Sequence, residues 1–230
     1  MNVQKNSYTV IYASIMVVAV AAILTLLSFG LKERQQANID NEKRQNILKT
    51  VNVESTSDNA AQLFEQTVKE AIVVDETGKV IVSDKNEAFN TGIDVAEGKL
   101  PVFKCEKDGK QYFVVPLKGA GLWGKIWGYA SIESDCNTIA GVVFDHESET
   151  PGLGDKITTK EFQQQFVGKK LYDEGASDLK GVIVYKGGLA SQDQLHGIDA
   201  LSGATLTSNG VQNMVNDCLK AYEPYFKTAK

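Results

Sequence analysis

Hydrophobic and polar positions fall into three regimes along the chain. From Tyr8 to Leu31, twenty-four consecutive residues carry no charge and are mostly Val, Ala, Ile and Leu. At about 1.5 Å per helical residue, this run is long enough to cross the roughly 30 Å hydrocarbon core of a bilayer. It predicts one transmembrane anchor over residues 8–31, behind a short tail at residues 1–7. A buried helix is one competing reading and a cleavable signal peptide the other. Against the signal peptide, the run is longer than a usual signal core, and no clear cleavage site precedes Lys32-Glu33-Arg34. Residues 32–51 are polar, rich in Gln and Asn and free of Pro and Gly, so the helix is expected to continue as a juxtamembrane stalk.

The third regime alternates between helical and strand periods. Ser57-Asp58 is a candidate cap for a helix whose apolar positions are Ala61, Leu63, Phe64, Val68 and Ile72. Ile72-Val73-Val74 and Val80-Ile81-Val82 flank Glu76-Thr77-Gly78, while Val102-Phe103 and Tyr112–Val115 flank Asp108-Gly109, which reads as two hairpins. Strands are expected at Tyr129–Ile132, Ile139–Phe144 and Val182–Tyr185, with helices around Thr159–Val167 and from Ser208 to Tyr222. The elements predict an α+β fold: a single amino-terminal transmembrane helix followed by an antiparallel-sheet domain with flanking helices. Residues 52–100 read as a small additional α/β layer and residues 101–230 as the main domain.

Composition, at 43% hydrophobic and 23% charged, excludes disorder, collagen and coiled coil for the whole chain. The net charge of −5 is uneven. Lys5, Lys32 and Arg34 outweigh Glu33 near the anchor, so the body is more acidic than the whole, and nucleic acid is not an expected partner. Lys32, Arg34, Lys43, Arg44 and Lys49 all follow the anchor, which by the positive-inside rule favours a cytoplasmic body. Cys105, Cys136 and Cys218 are widely spaced, with no C-x-x-C, so neither a zinc site nor an iron–sulfur cluster is expected.

Candidate chemistry is narrow. With two histidines, no G-x-S-x-G elbow, no H-E-x-x-H pair and no P-loop, common hydrolase and metalloenzyme signatures are missing. His146, Glu147 and Glu149 read as solvated polar residues before they read as metal ligands. Four glycines between Gly119 and Gly128 imply either a tight turn between strands or a loop lining a ligand. The stretch from His196 to Gly210 is more specific. Its Ser202-Gly203-Ala204 permits close backbone approach just before the last helix, whose first N–H groups favour an anion. An ordinary N-cap by Thr207 or Ser208 is the alternative there.

Asp199-x-x-Ser202-Gly203-Ala204-Thr205 resembles the flavinylation motif D-x-x-(S/T)-G-A-T, in which a flavin transferase esterifies the final threonine with the phosphate of FMN. His146-Glu147-Ser148-Glu149-Thr150-Pro151-Gly152-Leu153-Gly154 resembles the H-x-E-T-P-G-L-G element of an FMN-binding domain found in two families. One is the NqrC family, the C subunits of sodium-translocating NADH:quinone oxidoreductases; the other comprises the G subunits of Rnf-type electron-transport complexes. One extra residue follows the histidine here. The chain's length and the run Ser202–Val211 are more similar to the NqrC family, with the Rnf family as the alternative.

The resemblance implies a membrane-anchored electron-transfer subunit that binds neither NADH nor quinone itself. FMN would be attached covalently to Thr205 through its phosphate. Ser202, Gly203, Ala204, Leu206 and Thr207 would cradle the phosphate, and Glu149, Thr150, Leu153 and Gly154 would meet the ring. Trp123 and Lys186 are further candidate ring contacts. Implied partners are the other membrane and flavin subunits of the complex and a flavin transferase for maturation. The implied location is the bacterial inner membrane with a periplasmic body, against the direction of the flanking charges. Two rivals from other classes are an anchored extracytoplasmic sensor or binding module, and a hydrolase using Ser202 or Thr205 with His196.

Overall fold

The computed structural model describes residues 6–176 and 178–229. The expected tail at residues 1–7 lies outside the described residues, apart from Asn6 and Ser7, which open the first helix. The chain divides into two compact units, Met1–Lys43 and Arg44–Lys230. Helix α1, Asn6–Thr50, begins in the first and ends in the second. Among the described residues it is the one helix long and apolar enough to cross a membrane. Its apolar side chains from Val10 to Leu31 are exposed, so no protein core accounts for them.

The second unit is built on a six-stranded antiparallel sheet in the order β2-β1-β3-β4-β5-β6. The strands are β1 Val68–Val74, β2 Val80–Val82, β3 Leu100–Lys107, β4 Lys110–Ala120, β5 Lys125–Glu133 and β6 Ile139–His146. Period-two alternation divides its side chains between two cores. Ile72, Val74, Val102, Phe113 and Val115 join one cluster, and Ala71, Val73, Phe103 and Val114 join the other.

The first cluster is completed by α4 (Lys160–Gln164) and α5 (Thr205–Ala229), through Phe162, Val211, Val215, Leu219 and Phe226. The second takes Ile47, Leu48 and Val51 from the end of α1 and just beyond it. It also takes Phe64 from α2 (Ala60–Thr67) and Phe89 from α3 (Lys85–Asn90). Ser131 on β5 donates to the Thr50 carbonyl at 2.7 Å, which fixes the last turn of α1 to the sheet.

Three expectations are corrected here. The helix expected through Ile72 stops at Thr67, because the apolar run from Val68 pairs with β3 and tertiary pairing overrides the helical period. It begins after Asn59, not at a Ser57-Asp58 cap. The last helix extends beyond Ser208–Tyr222 at both ends and contains Pro224, since Tyr225 and Phe226 beyond the proline are buried and pack against Phe113.

A parallel pair, β7 Ile183–Tyr185 and β8 Gly197–Asp199, lies outside the main sheet and delivers the chain into α5. It is held to α5 by side-chain amides: Val182 N–H donates to Asn216 at 2.9 Å and Val184 N–H to Gln212 at 2.6 Å.

Tyr222 carries a fully buried hydroxyl that donates to the Pro101 carbonyl at 2.9 Å, joining α5 to β3. Tyr222→Phe removes that bond and is expected to cost about 1 kcal/mol. Urea unfolding measures it, with an unchanged denaturation midpoint counting against the bond.

Candidate functional site

The glycine-rich stretch is the turn of the β4–β5 hairpin, closed by Gly121 N–H donating to the Gly124 carbonyl at 2.8 Å. It carries Leu122 and Trp123 at its tip. The segment from His146 to Gly154 leaves the end of the neighbouring strand β6 and enters a 3-10 turn at Gly154–Thr158. The segment from Asp199 to Thr205 leaves β8 and becomes the first turn of α5. Three stretches far apart in the chain therefore converge on one end of the sheet.

The contacts between them are direct. Gly203 is left-handed, with φ +75°, and a side chain there would strike Leu153 at 2.9 Å. Thr207 donates its hydroxyl to Glu149 Oε2 at 2.7 Å, and the Trp123 N–H donates to Glu149 Oε1 at 2.9 Å. Ser148 donates to the Trp123 carbonyl at 3.1 Å. Gly210 in α5 lies against the Ala120 carbonyl, where a Cβ would come within 2.5 Å. Gly154 is buried against the Glu149 carboxylate and the Thr207 hydroxyl, with no room for a side chain.

Helix α5 starts at Thr205, so neither Thr207 nor Ser208 is its N-cap. Ser208 instead closes the turn from inside the helix. Its hydroxyl oxygen accepts the Leu201 N–H at 3.0 Å, and its O–H donates to the Ala204 carbonyl at 3.0 Å. The N–H groups of Thr205, Leu206 and Thr207 belong to a helix's first turn and point out of its N-terminus, with the positive end of the dipole. Thr205 is half-buried there, between exposed Leu206 and buried Ala204, while Ser202 and Gly203 are exposed.

Around this turn four large apolar side chains are left exposed: Leu122 at 47%, Trp123 at 68%, Leu153 at 40% and Leu206 at 63%. A helix N-terminus beside uncovered apolar side chains fits a phosphorylated aromatic group such as FMN.

Other expected residues are placed differently. Lys186 occupies an exposed bend after β7. Thr150 is exposed, and its carbonyl accepts the Leu153 N–H at 3.1 Å, closing the turn. Glu149 is buried, at 4% exposure, so it is not the solvated residue first expected. His146 is half-buried, and its Nδ1 accepts the Glu149 N–H at 3.2 Å. Among the described residues, no group of three or more His, Cys, Asp or Glu side chains is arranged to hold a metal ion.

His196 is fully buried, with Nδ1 2.8 Å from the Gly181 carbonyl and Nε2 2.9 Å from Asp173. Both ring nitrogens are thus engaged, which removes the base that a Ser202 or Thr205 hydrolase needs. Hydrogen bonds from His196 and Lys180 hold the Asp173 carboxyl below its ordinary pKa.

Asp199 is likewise occupied. One carboxylate oxygen accepts the Ala190 N–H at 3.0 Å, and its own N–H donates to Gln165 at 2.8 Å.

Residues 121–220, which contain all three converging segments apart from Gly119 and Ala120, match the family model of the FMN-binding domain. Over 225 residues the sequence is 30% identical to the C subunit of the Na(+)-translocating NADH-quinone reductase of Vibrio alginolyticus, covering 88% of this chain and 87% of that protein. The chain belongs to the NqrC family.

Two solved members of the family share the fold. The C subunit of the Parabacteroides distasonis reductase superposes with a TM-score of 0.77 at 40% identity, covering 85% of this chain and 96% of that one. NqrC of Shewanella oneidensis gives 0.72 at 31% identity, covering 84% and 98%. Family membership favours the NqrC reading over the Rnf alternative.

Gly121 and Leu122 were expected only as part of a turn or ligand-lining loop, and the close packing of Gly210 and the inward role of Glu149 were not expected. The glycine density of the hairpin turn, and a glycine inside an otherwise regular helix, were the available signals.

Proposed function

We propose that this protein is the FMN-carrying electron-transfer subunit of a sodium-translocating NADH-quinone reductase, anchored in the membrane by α1. The observation that carries the reading is the convergence of the Thr205 turn, the Leu153 turn and the Trp123 turn beneath exposed apolar side chains, within a matched FMN-binding domain. FMN, when bound, supplies the redox chemistry, and the chain supplies attachment, orientation and electrostatic tuning.

In this reading Thr205 is esterified to the FMN phosphate by a flavin transferase. Ser202, Gly203 and Ala204 let the phosphate approach, and the N–H groups of the α5 first turn offset its charge. Leu153 and Trp123 offer apolar surface to the ring, with Thr150 and Gly154 shaping the turn beneath it. Lys186 is an outlying candidate to favour negative charge on the ring. The remaining partners are the other subunits of the complex.

Co-expression with a flavin transferase tests the reading. The chain should then fluoresce as a flavoprotein on a denaturing gel, with its intact mass raised by one FMN less one water. A colourless product of unmodified mass, made beside a positive control, would refute it.

We further propose a periplasmic body. Long loops and domains translocate largely regardless of nearby charge, so the lysines and arginines after the anchor are tolerable. Protease added to intact spheroplasts is expected to digest the body and leave the anchor. Full protection would mean that the flanking charges had set the orientation.

A further inference from the structure

Glu149 is a buried carboxylate whose hydrogen-bond donors are neutral groups. Oε1 accepts the Trp123 N–H at 2.9 Å and Oε2 the Thr207 hydroxyl at 2.7 Å, and the Leu122 N–H of the same hairpin turn is also directed at the carboxylate. Side chains at Gly121 and Gly154 would collide with the same two oxygens, so the backbone closes over the carboxylate on both sides. A buried charge is costly unless its lone pairs are used, and here the donors that use them come from two different segments of the chain.

These donors are far apart in sequence but lie next to functional positions. Trp123 is at the hairpin tip, and Thr207 is two residues after the attachment threonine. A single ionised group that accepts from both ties the two segments together, whereas an apolar residue would leave both donors unpaired.

We propose that Glu149 is a positioning residue: its ionised carboxylate latches the hairpin turn that carries Trp123 to the first turn of α5 that carries Thr205, and protonation releases the latch. The consequence for a bound flavin rests on the function proposed above; the latch itself does not.

The electrostatics agree in sign. Burial raises the Glu149 pKa, but hydrogen bonds from Trp123, Thr207 and the Leu122 N–H, together with His146 nearby, hold it below the ordinary glutamate value. A depressed folded pKa means that the latch is fully held at neutral pH and lost as pH falls through that lowered value. The charged groups beside it are His146 and Glu147 from the end of β6, with Asp155 and Lys156 in the 3-10 turn that follows Gly154. Glu147 Oε2 accepts the Lys125 N–H of β5 at 3.4 Å, and the α5 turn Thr205–Ser208 carries no charged side chain. His146 is itself ionisable and near enough to act on Glu149, so the acid limb is read in a His146→Gln background.

The experiment uses the full chain in detergent, made without a flavin transferase. Trp127→Phe leaves Trp123 as the only indole. Its fluorescence anisotropy should fall reversibly on acidification while circular dichroism stays native. Glu149→Leu should show the low value already at neutral pH. Glu149→Gln, which keeps a hydrogen-bonding shape without the charge, should lose the acid limb.

Thr207→Val removes one anchor without touching the carboxylate and should lower the neutral-pH anisotropy even if Glu149→Leu fails to fold. Native anisotropy at neutral pH in folded Glu149→Leu, or in Thr207→Val, overturns the latch. An acid limb that persists in Glu149→Gln does the same. A second arm compares the flavin midpoint potential of native and Glu149→Gln protein after co-expression with the transferase, where a shift is expected and an unchanged potential would detach the latch from the cofactor. Absence of any flavin on the native chain would refute the proposed function and leave the anisotropy result standing.

Discussion

Thr205→Val, co-expressed with a flavin transferase, is expected to lose covalent flavin entirely while remaining folded. Valine keeps the β-branched shape of threonine and removes only the hydroxyl whose oxygen would form the ester bond. Thr205→Ser retains that oxygen and should still be modified. The neighbouring hydroxyls offer poor substitutes. Thr207 is buried at 1% exposure and donates to Glu149, and Ser208 is fully buried with its hydroxyl engaged on both sides of the turn. Ser202 is exposed but lies before the helix, where the first-turn N–H groups are less able to hold the phosphate. Intact mass and in-gel fluorescence report the result, and circular dichroism reports the fold. A Thr205→Val protein still carrying the added mass would move the attachment elsewhere.

Local patterns carried much of this fold. The anchor follows from one uncharged run, and both hairpins follow from alternating apolar residues around Gly78 and around Asp108-Gly109. The end of α2 did not follow, because Val68 satisfies a helical period as well as it satisfies strand pairing, and the neighbouring strand decides between them. The same holds for the C-terminal part of α5, where Pro224 is a stop signal by local rules but Tyr225 and Phe226 are needed in the core.

The site divides along similar lines. The segment proposed for attachment, Asp199–Thr205, was readable as a motif, since its small residues and its helix are contiguous. From its own position Glu149 read as a solvated polar residue after a strand, and by resemblance as a ring contact; its role as a buried acceptor was not readable, because its partners are 26 and 58 residues away. A buried carboxylate and a solvated one have the same one-letter code. Only the convergence of three turns distinguishes them.

Gly210→Ala separates local propensity from packing most sharply. In an isolated helix the change to alanine stabilises by about 1 kcal/mol, so by propensity alone the variant should be the more stable protein. Here the added Cβ would lie 2.5 Å from the Ala120 carbonyl and 3.4 Å from the Gly121 Cα, both backbone atoms that no side-chain rotation can move. The helix must therefore lift from the end of β4, with an overpacking cost of about 1–3 kcal/mol set against the helical gain. A net loss of stability is expected, together with a lower yield of covalent flavin, because the same turns of α5 carry Thr205 and Thr207. Asn213→Ala, on the exposed face of the same helix, should be neutral or slightly stabilising and keep full flavin yield. Thermal unfolding followed by circular dichroism, with flavin yield measured on the same preparations, distinguishes the two positions. If Gly210→Ala proves as stable as Asn213→Ala, the close approach of α5 to the hairpin is not what holds the site together.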